Sequence, residues 1–229
     1  MKDISLIAFD ADDTLWECLT YFEAVEKEYC ELLKSYASAD EISKALFAVE
    51  TANMPLLGYG SKAFLLSLLE NAIEVSGGRL KADEVEKIIK LGKELLQLPG
   101  KPMDGVEETL KVLRETGKYH LVVFTKGELL DQENKFHRSG LKPFFDDIIV
   151  VSDKTEASYY QLCERFSINV EQLLMVGNSF RSDIEPVLKL GGWAAHIPFH
   201  TTWQHEVVEE YEHPHLLKLE YFTQLNQVL

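Results

Sequence analysis

The feature that most constrains this chain is a pattern that repeats from Pro102 onward. An amphipathic stretch leads into a short apolar run, and the run stops abruptly at a polar group. Helix Val106 to Glu115 precedes strand His120 to Thr125, and helix Glu128 to Ser139 precedes strand Asp147 to Ser152. Helix Thr155 to Phe166 then precedes strand Leu173 to Gly177, and helix Phe180 to Leu190 precedes strand Trp193 to Pro198. Short apolar strands alternating with helices predict a parallel sheet covered by helices on both faces, an α/β architecture. The opening run Ile4 to Phe9 has the same character and supplies a further strand buried on both sides.

Between that first strand and the repeating pattern the sequence changes. Residues Trp16 to about Leu98 read as four amphipathic helices: Trp16 to Tyr36, Asp40 to Asn53, Ser61 to Ser76 and Ala82 to Leu98. In the third, Phe64, Leu65, Leu68, Leu69, Ala72 and Ile73 recur at helical spacing. Glycines around Tyr59 and the pair Gly77-Gly78 punctuate the block, and Pro99-Gly100-Lys101-Pro102 closes it. The expected organisation is an α/β core from residues 1–15 and 100–229, interrupted by an all-helical domain over 16–99. The tail from Thr201 predicts a helix, a short strand and a terminal helix. A length of 229 residues with 46% hydrophobic content can bury a core for such a fold.

Composition narrows the partners. With 23 Lys plus Arg against 38 Asp plus Glu, the net charge of −15 repels nucleic acid and anionic lipid. Three cysteines, Cys18, Cys30 and Cys163, without CxxC spacing suit reduced thiols. No stretch is long and apolar enough for a membrane span, and the opening run is too soon broken by Asp10 for a secretion signal. A cytoplasmic protein is expected, with no nucleic-acid or membrane partner, and as a monomer or a homodimer.

The chemistry is concentrated after the strands. In an open parallel sheet, ligands sit beyond the carboxyl ends of the strands, where strand order reverses. Those positions carry Asp10 and Asp12, Thr125 and Lys126, Asp153 and Lys154, and Asn178 and Asp183. Carboxylates gathered without His or Cys suit a hard oxygen-seeking cation, Mg²⁺ being the usual one beside phosphate. Two carboxyls two residues apart can diverge, one ionised and the other holding a proton to donate. A lysine offsets the negative charge and clamps phosphoryl oxygens, and a hydroxyl holds another. Together these are the parts of phosphoryl transfer through an aspartyl intermediate.

The run Phe9-Asp10-Ala11-Asp12-Asp13-Thr14-Leu15 resembles the DxDxT signature of the haloacid dehalogenase (HAD) superfamily. Val122 to Gly127 resembles its second motif, Lys154 its third, and Val176-Gly177-Asn178-Ser179-Phe180-Arg181-Ser182-Asp183 its fourth, in the family's order along the whole chain. The helical insertion resembles the superfamily's C1-type cap, and the core would be Rossmann-like. The resemblance implies Asp10 as nucleophile and Mg²⁺ ligand. Asp12 would be general acid and then base, with its backbone carbonyl on the metal. Thr125 and Lys154 would bind the phosphoryl group, with Lys126 as a further candidate, and Asp183 would hold Mg²⁺. Asn178 stands where the family commonly has Asp, which implies weaker Mg²⁺ binding through an amide oxygen. Tyr59, in a loop between two cap helices, is the candidate reader of the leaving group.

Asp12 favours phosphate esters over carbon–halogen bonds, since an alkoxide needs a proton and a halide does not. The expected function is therefore a Mg²⁺-dependent phosphatase acting on a small phosphorylated metabolite. A phosphomutase, a phosphonatase using Lys27, Lys34 or Lys62, and a degenerate binding protein are the alternatives. Asp13 is expected to cap a turn, and the late histidines to be structural rather than metal ligands.

Overall fold

A computed structural model describes residues 3–229; residues 1 and 2 of the expected core segment lie outside it. Six strands form one parallel sheet: β1 (Leu6–Phe9), β2 (His120–Lys126), β3 (Asp147–Val151), β4 (Leu173–Gly177), β5 (Trp193–His196) and β6 (Leu216–Lys218). Their order is β3-β2-β1-β4-β5-β6, so the direction of winding reverses between β1 and β4. β1 is central because every one of its residues is apolar and it can lose water on both faces. Ile7 and Phe9 point to one layer with Val106, Leu110, Phe136 and Phe222. Leu6 and Ala8 point to the other, against Tyr159, Leu162, Ile184 and Val187. This is the expected α/β, Rossmann-like parallel core.

Helices α5 (Val106–Thr116), α6 (Leu129–Ser139) and α7 (Glu156–Phe166) cross between strands, as their periodicity predicts. The segment after β4 starts as a π-helical turn over Phe180–Ile184 before α8 (Glu185–Lys189). A further short helix, α9 (Leu225–Val228), ends the chain. The first helix expected after Thr201 is reduced to a single 3₁₀ turn, Gln204–Glu206; its few apolar residues have no stripe to bury.

The helices of the insertion are α1 (Leu19–Leu33), α2 (Ala39–Leu57), α3 (Ser61–Val75) and α4 (Ala82–Leu95). They enclose an apolar cluster of their own, including Tyr29, Leu33, Ile42, Leu46, Phe64, Leu68, Ile88 and Leu95. The Tyr29 hydroxyl donates to Asn71 Oδ1 at 2.6 Å, so the ring is buried without stranding its polar tip. α1 starts at Leu19 rather than at Trp16, because Asp13 takes a left-handed φ of 63° and accepts from the backbone N–H groups of Cys18 and Leu19. Asp13 is thus the expected turn cap. α2 runs past Asn53 through Pro55 to Gly58, whose φ of 70° ends it. The two crossings between insertion and core lie side by side, with Trp16 bridged to Pro102.

Candidate active site

The carboxyl ends of β1, β2 and β4, with the loop after β3, meet under α1, α2 and α3 in a cavity of about 390 Å³. All eight site residues read from the sequence line it: Asp10, Asp12, Tyr59, Thr125, Lys126, Lys154, Asn178 and Asp183. The topology explains this. β1 lies between β2 and β4, so residues one step beyond each strand share the same rim at the switch point.

At the floor, Lys154 Nζ donates to Asp10 Oδ1 and, at 2.6 Å, to Asp183 Oδ1. The second oxygen of Asp183 accepts from the backbone N–H of Ser179 at 3.0 Å. Gly177 is what admits that carboxylate: a Cβ there would lie 2.2 Å from Asp183 Oδ2. Thr14 Oγ1 lies 3.2 Å from Asp10 Oδ2 and 3.1 Å from Asn178 Oδ1, so its single proton serves one of them at a time. The backbone N–H of Asn178 donates back to Thr14, and His196 Nε2 lies 2.9 Å from the Asn178 carbonyl oxygen. Burial pushes Asp10 up to about 7, with Asp183 adding to the rise and the Lys154 ammonium opposing it. The Lys154 ammonium itself is raised by the same two carboxylates, which outweigh its burial. Thr125 is buried and its hydroxyl makes only a long 3.4 Å contact with the neighbouring carbonyl.

Asp12 lies in a different setting. Lys135 Nζ, 3% exposed, donates to both Asp12 oxygens at 2.7 and 2.8 Å. Gln132 Nε2 adds a bond at 2.9 Å and the Trp16 indole N–H another at 2.8 Å. Burial alone would raise Asp12, but the Lys135 charge and these three donors outweigh it and hold the carboxyl below its ordinary range. The resting Asp12 is therefore a carboxylate. Lys135 and Gln132 carry no motif; they lie on α6, far from Asp12 in sequence, and only the helix's seat on the sheet brings them in. Trp16 is wholly buried, and its indole N–H orients Asp12.

Lys126 is ion-paired to Glu206 and donates to Ser182 Oγ at 3.0 Å. Its ammonium sits 4.4 Å from the centroid of the Tyr59 ring, which also meets Trp203 edge-on at 5.9 Å. Glu206 had no signal in the sequence. The Tyr59 loop is fastened to the core: Lys62 pairs with Glu128 at 3.0 Å and Ser61 Oγ donates to Asp131 Oδ2 at 2.9 Å.

The residues around Asp10 suit a magnesium ion. Two carboxylates, Asp10 and Asp183, are drawn together by one lysine, and the Asn178 amide oxygen joins Asp10 through their shared contact with Thr14. Among the described residues no group of three or more His, Cys, Asp or Glu forms a metal cage. Mg²⁺ needs none, since it takes one or two carboxylates and fills its octahedron with water and substrate oxygens.

The sequence profile of the haloacid dehalogenase-like hydrolases matches residues 4–191, and the chain belongs to that family. A haloacid dehalogenase-like family hydrolase from Xanthomonas campestris shares 34% identity over 99% of this chain and 90% of its own, with a TM-score of 0.89. A predicted phosphoglycolate phosphatase from Haemophilus somnus, 19% identical, has the same fold at a TM-score of 0.65, covering 100% of this chain and 99% of its own. So does the Bacillus subtilis protein YfnB in a magnesium-bound form, at 17% identity and a TM-score of 0.65, over 99% of both chains. No curated protein matches the chain. No helix among the described residues is long and apolar enough to cross a membrane.

Proposed function

We infer that this hydrolase is a Mg²⁺-dependent phosphatase that cleaves a small phosphomonoester through an aspartyl-phosphate on Asp10. The observation that carries this reading is the shared lysine: Lys154 joins Asp10 to Asp183 at the cavity floor, with Asp12 on the same rim. One Asp10 oxygen attacks phosphorus as the P–O bond to the alcohol breaks. The departing oxygen takes a proton from Asp12, which must first bind one from solvent because it rests as a carboxylate. In the second half, Asp12 removes a proton from water, water attacks phosphorus, and the Asp10 carboxylate leaves. Lys154 and the Thr125 hydroxyl hold phosphoryl oxygens throughout. Asp10, Asp183, Asn178 and the Asp12 carbonyl would hold Mg²⁺, which would supply positive charge against the transferring phosphoryl group.

Lys135 sets the balance between the two halves. It keeps Asp12 as the carboxylate that the water step needs, so the first half is the one that demands a proton. Asp12 also separates this site from carbon–halogen cleavage, where the leaving ion needs no acid. The helical block over the cavity, proposed here as a cap over residues 16–99, restricts the site to small substrates and keeps bulk water out. A small phosphorylated metabolite, and no nucleic acid or membrane, is the proposed partner of a monomer or homodimer in a cytoplasmic setting.

The test is hydrolysis of p-nitrophenyl phosphate with and without Mg²⁺, beside Asp10→Asn. Turnover that requires the metal and is lost in the variant is expected. Metal-independent turnover, or activity surviving in a folded Asp10→Asn protein, would overturn the mechanism.

A further inference from the structure

The turn that carries Asp183 departs from a regular helix. Phe180–Ile184 make a π-helical turn, closed by the Glu185 N–H donating back to the Phe180 carbonyl. In a regular helix the Ser182 carbonyl would accept from the N–H four residues on, but that residue is Pro186, which has none. Ser182 and Asp183 are buried, so a carbonyl left unserved there would be costly. The donor comes from another element. Tyr159, wholly buried on α7, donates its phenolic O–H to the Ser182 carbonyl at 2.9 Å, and the Asp183 carbonyl lies 3.3 Å from the same oxygen. The Tyr159 ring packs edge-on against Phe124 of β2, with centroids 5.0 Å apart.

The Asp183 carboxylate tolerates little movement of this turn. One oxygen takes the Lys154 ammonium at 2.6 Å, the other takes the Ser179 N–H at 3.0 Å, and Gly177 lies too close to it to carry a methyl group. Ser182 is held a second time through its hydroxyl, which donates to Glu206 at 2.7 Å. α7 therefore serves Asp183 twice. The chain enters the helix directly after Lys154, and five residues on it presents the hydroxyl that holds the turn. A buried tyrosine whose hydroxyl finds a carbonyl is ordinary packing in most places. Here the two carbonyls belong to the peptide groups on either side of the Asp183 Cα, so the contact fixes the backbone from which the carboxylate projects.

We propose that Tyr159 is the positioning residue for Asp183: its hydroxyl replaces the backbone donor that Pro186 lacks and so sets where the carboxylate stands to receive Mg²⁺. The metal role of Asp183 rests on the phosphatase reading, whereas the placement of its carboxylate does not. Tyr159 does not line the cavity and acts only through the turn. Groups that orient a metal ligand in this way are worth about 10–100-fold in metal affinity.

The experiment compares Tyr159→Phe with Tyr29→Phe. Both remove a buried phenolic hydroxyl and keep the ring; Tyr29 serves Asn71 Oδ1 and the Leu68 carbonyl within the helical insertion, away from the site. Mg²⁺ affinity is read by calorimetric titration without substrate. The placement of Asp183 is read by native-state hydrogen exchange of the Ser179 amide, whose acceptor is the Asp183 carboxylate. Tyr159→Phe is expected to weaken Mg²⁺ binding about tenfold and to speed Ser179 exchange by a similar factor, while Tyr29→Phe leaves both unchanged. Adding Pro186→Ala to Tyr159→Phe returns a backbone N–H to the turn and should recover part of the lost affinity. Unchanged Mg²⁺ affinity in folded Tyr159→Phe, or an equal loss in Tyr29→Phe, overturns the assignment. If the wild-type protein binds no Mg²⁺, the metal reading fails and Ser179 exchange decides the role of Tyr159 alone: faster exchange confined to Tyr159→Phe supports it, and unchanged exchange overturns it.

Discussion

At the scale of single residues, the site's two leading carboxyls are two residues apart in sequence yet differ in environment. Asp10 is raised by burial, whereas Asp12 is held down because Lys135 and two further donors outweigh burial. Lys135→Met would leave the partly buried Asp12 without its counter-charge but with its Gln132 and Trp16 donors, a loss of about 1–3 kcal/mol. The loss should show as a lowered urea midpoint at pH 7. The sign follows from linkage: a depressed carboxyl stabilises above its unfolded value, and that contribution disappears as pH falls through the folded value. The deficit of Lys135→Met should therefore shrink in acid. Asp12 should also titrate higher, moving the acidic limb of the kcat profile to higher pH. A second prediction concerns Gly177. In Gly177→Ala the new methyl displaces the Asp183 carboxylate, so Mg²⁺-supported turnover should fall at least tenfold and stability by about 1–3 kcal/mol. Retained activity would show that Asp183 can shift without cost.

At the scale of elements, the start of α7 positions the floor lysine. Thr155 follows Lys154 and caps α7, its hydroxyl accepting from the Ser158 N–H at 3.3 Å while Ser158 Oγ accepts from the Thr155 N–H at 2.9 Å. This capping box does the work that a proline does in many helix starts, and it keeps the chain leaving β3 in one path. Thr155→Ala should cost about 1 kcal/mol in denaturant unfolding. It should also lower kcat more than it raises KM for p-nitrophenyl phosphate, since Lys154 is then less firmly held. The strand ends were legible in the sequence because a strand's end and its flanking polar residue are both local. Lys135, Gln132 and Glu206 were not, because each reaches the site from an element whose angle on the sheet is set by packing of apolar faces.

At the scale of the whole molecule, the balance between core and helical block is electrostatic as well as apolar. Glu50 is raised to about 7 against an ordinary value of 4.5, with Glu26 on the neighbouring helix and Glu23 further out facing the same recess. A carboxyl raised in the folded state imposes no penalty below about pH 4.5. The penalty grows between 4.5 and 7 and is complete above 7. Glu50→Gln should therefore raise stability by about 1–3 kcal/mol at pH 8 and leave it unchanged at pH 4. Thermal unfolding at the two pH values checks this, and a gain of equal size at both would exclude a titrating Glu50 as the cause.

By itself the sequence determined the order of elements, the parallel α/β core and the carboxylate-lysine rim around Asp10. Each of these follows from local information: apolar periodicity, breaker residues, and the rule that strand ends share one edge. Tertiary structure alone decided which charges neutralise one another. It paired Lys135 with Asp12, Lys126 with Glu206, and Lys154 with both Asp10 and Asp183, and it left Glu26 and Glu50 without a cation. The physical reason is range. Backbone preference acts over a few neighbours in the chain, whereas a buried charge responds to whatever packing brings within a few ångströms, however distant in sequence.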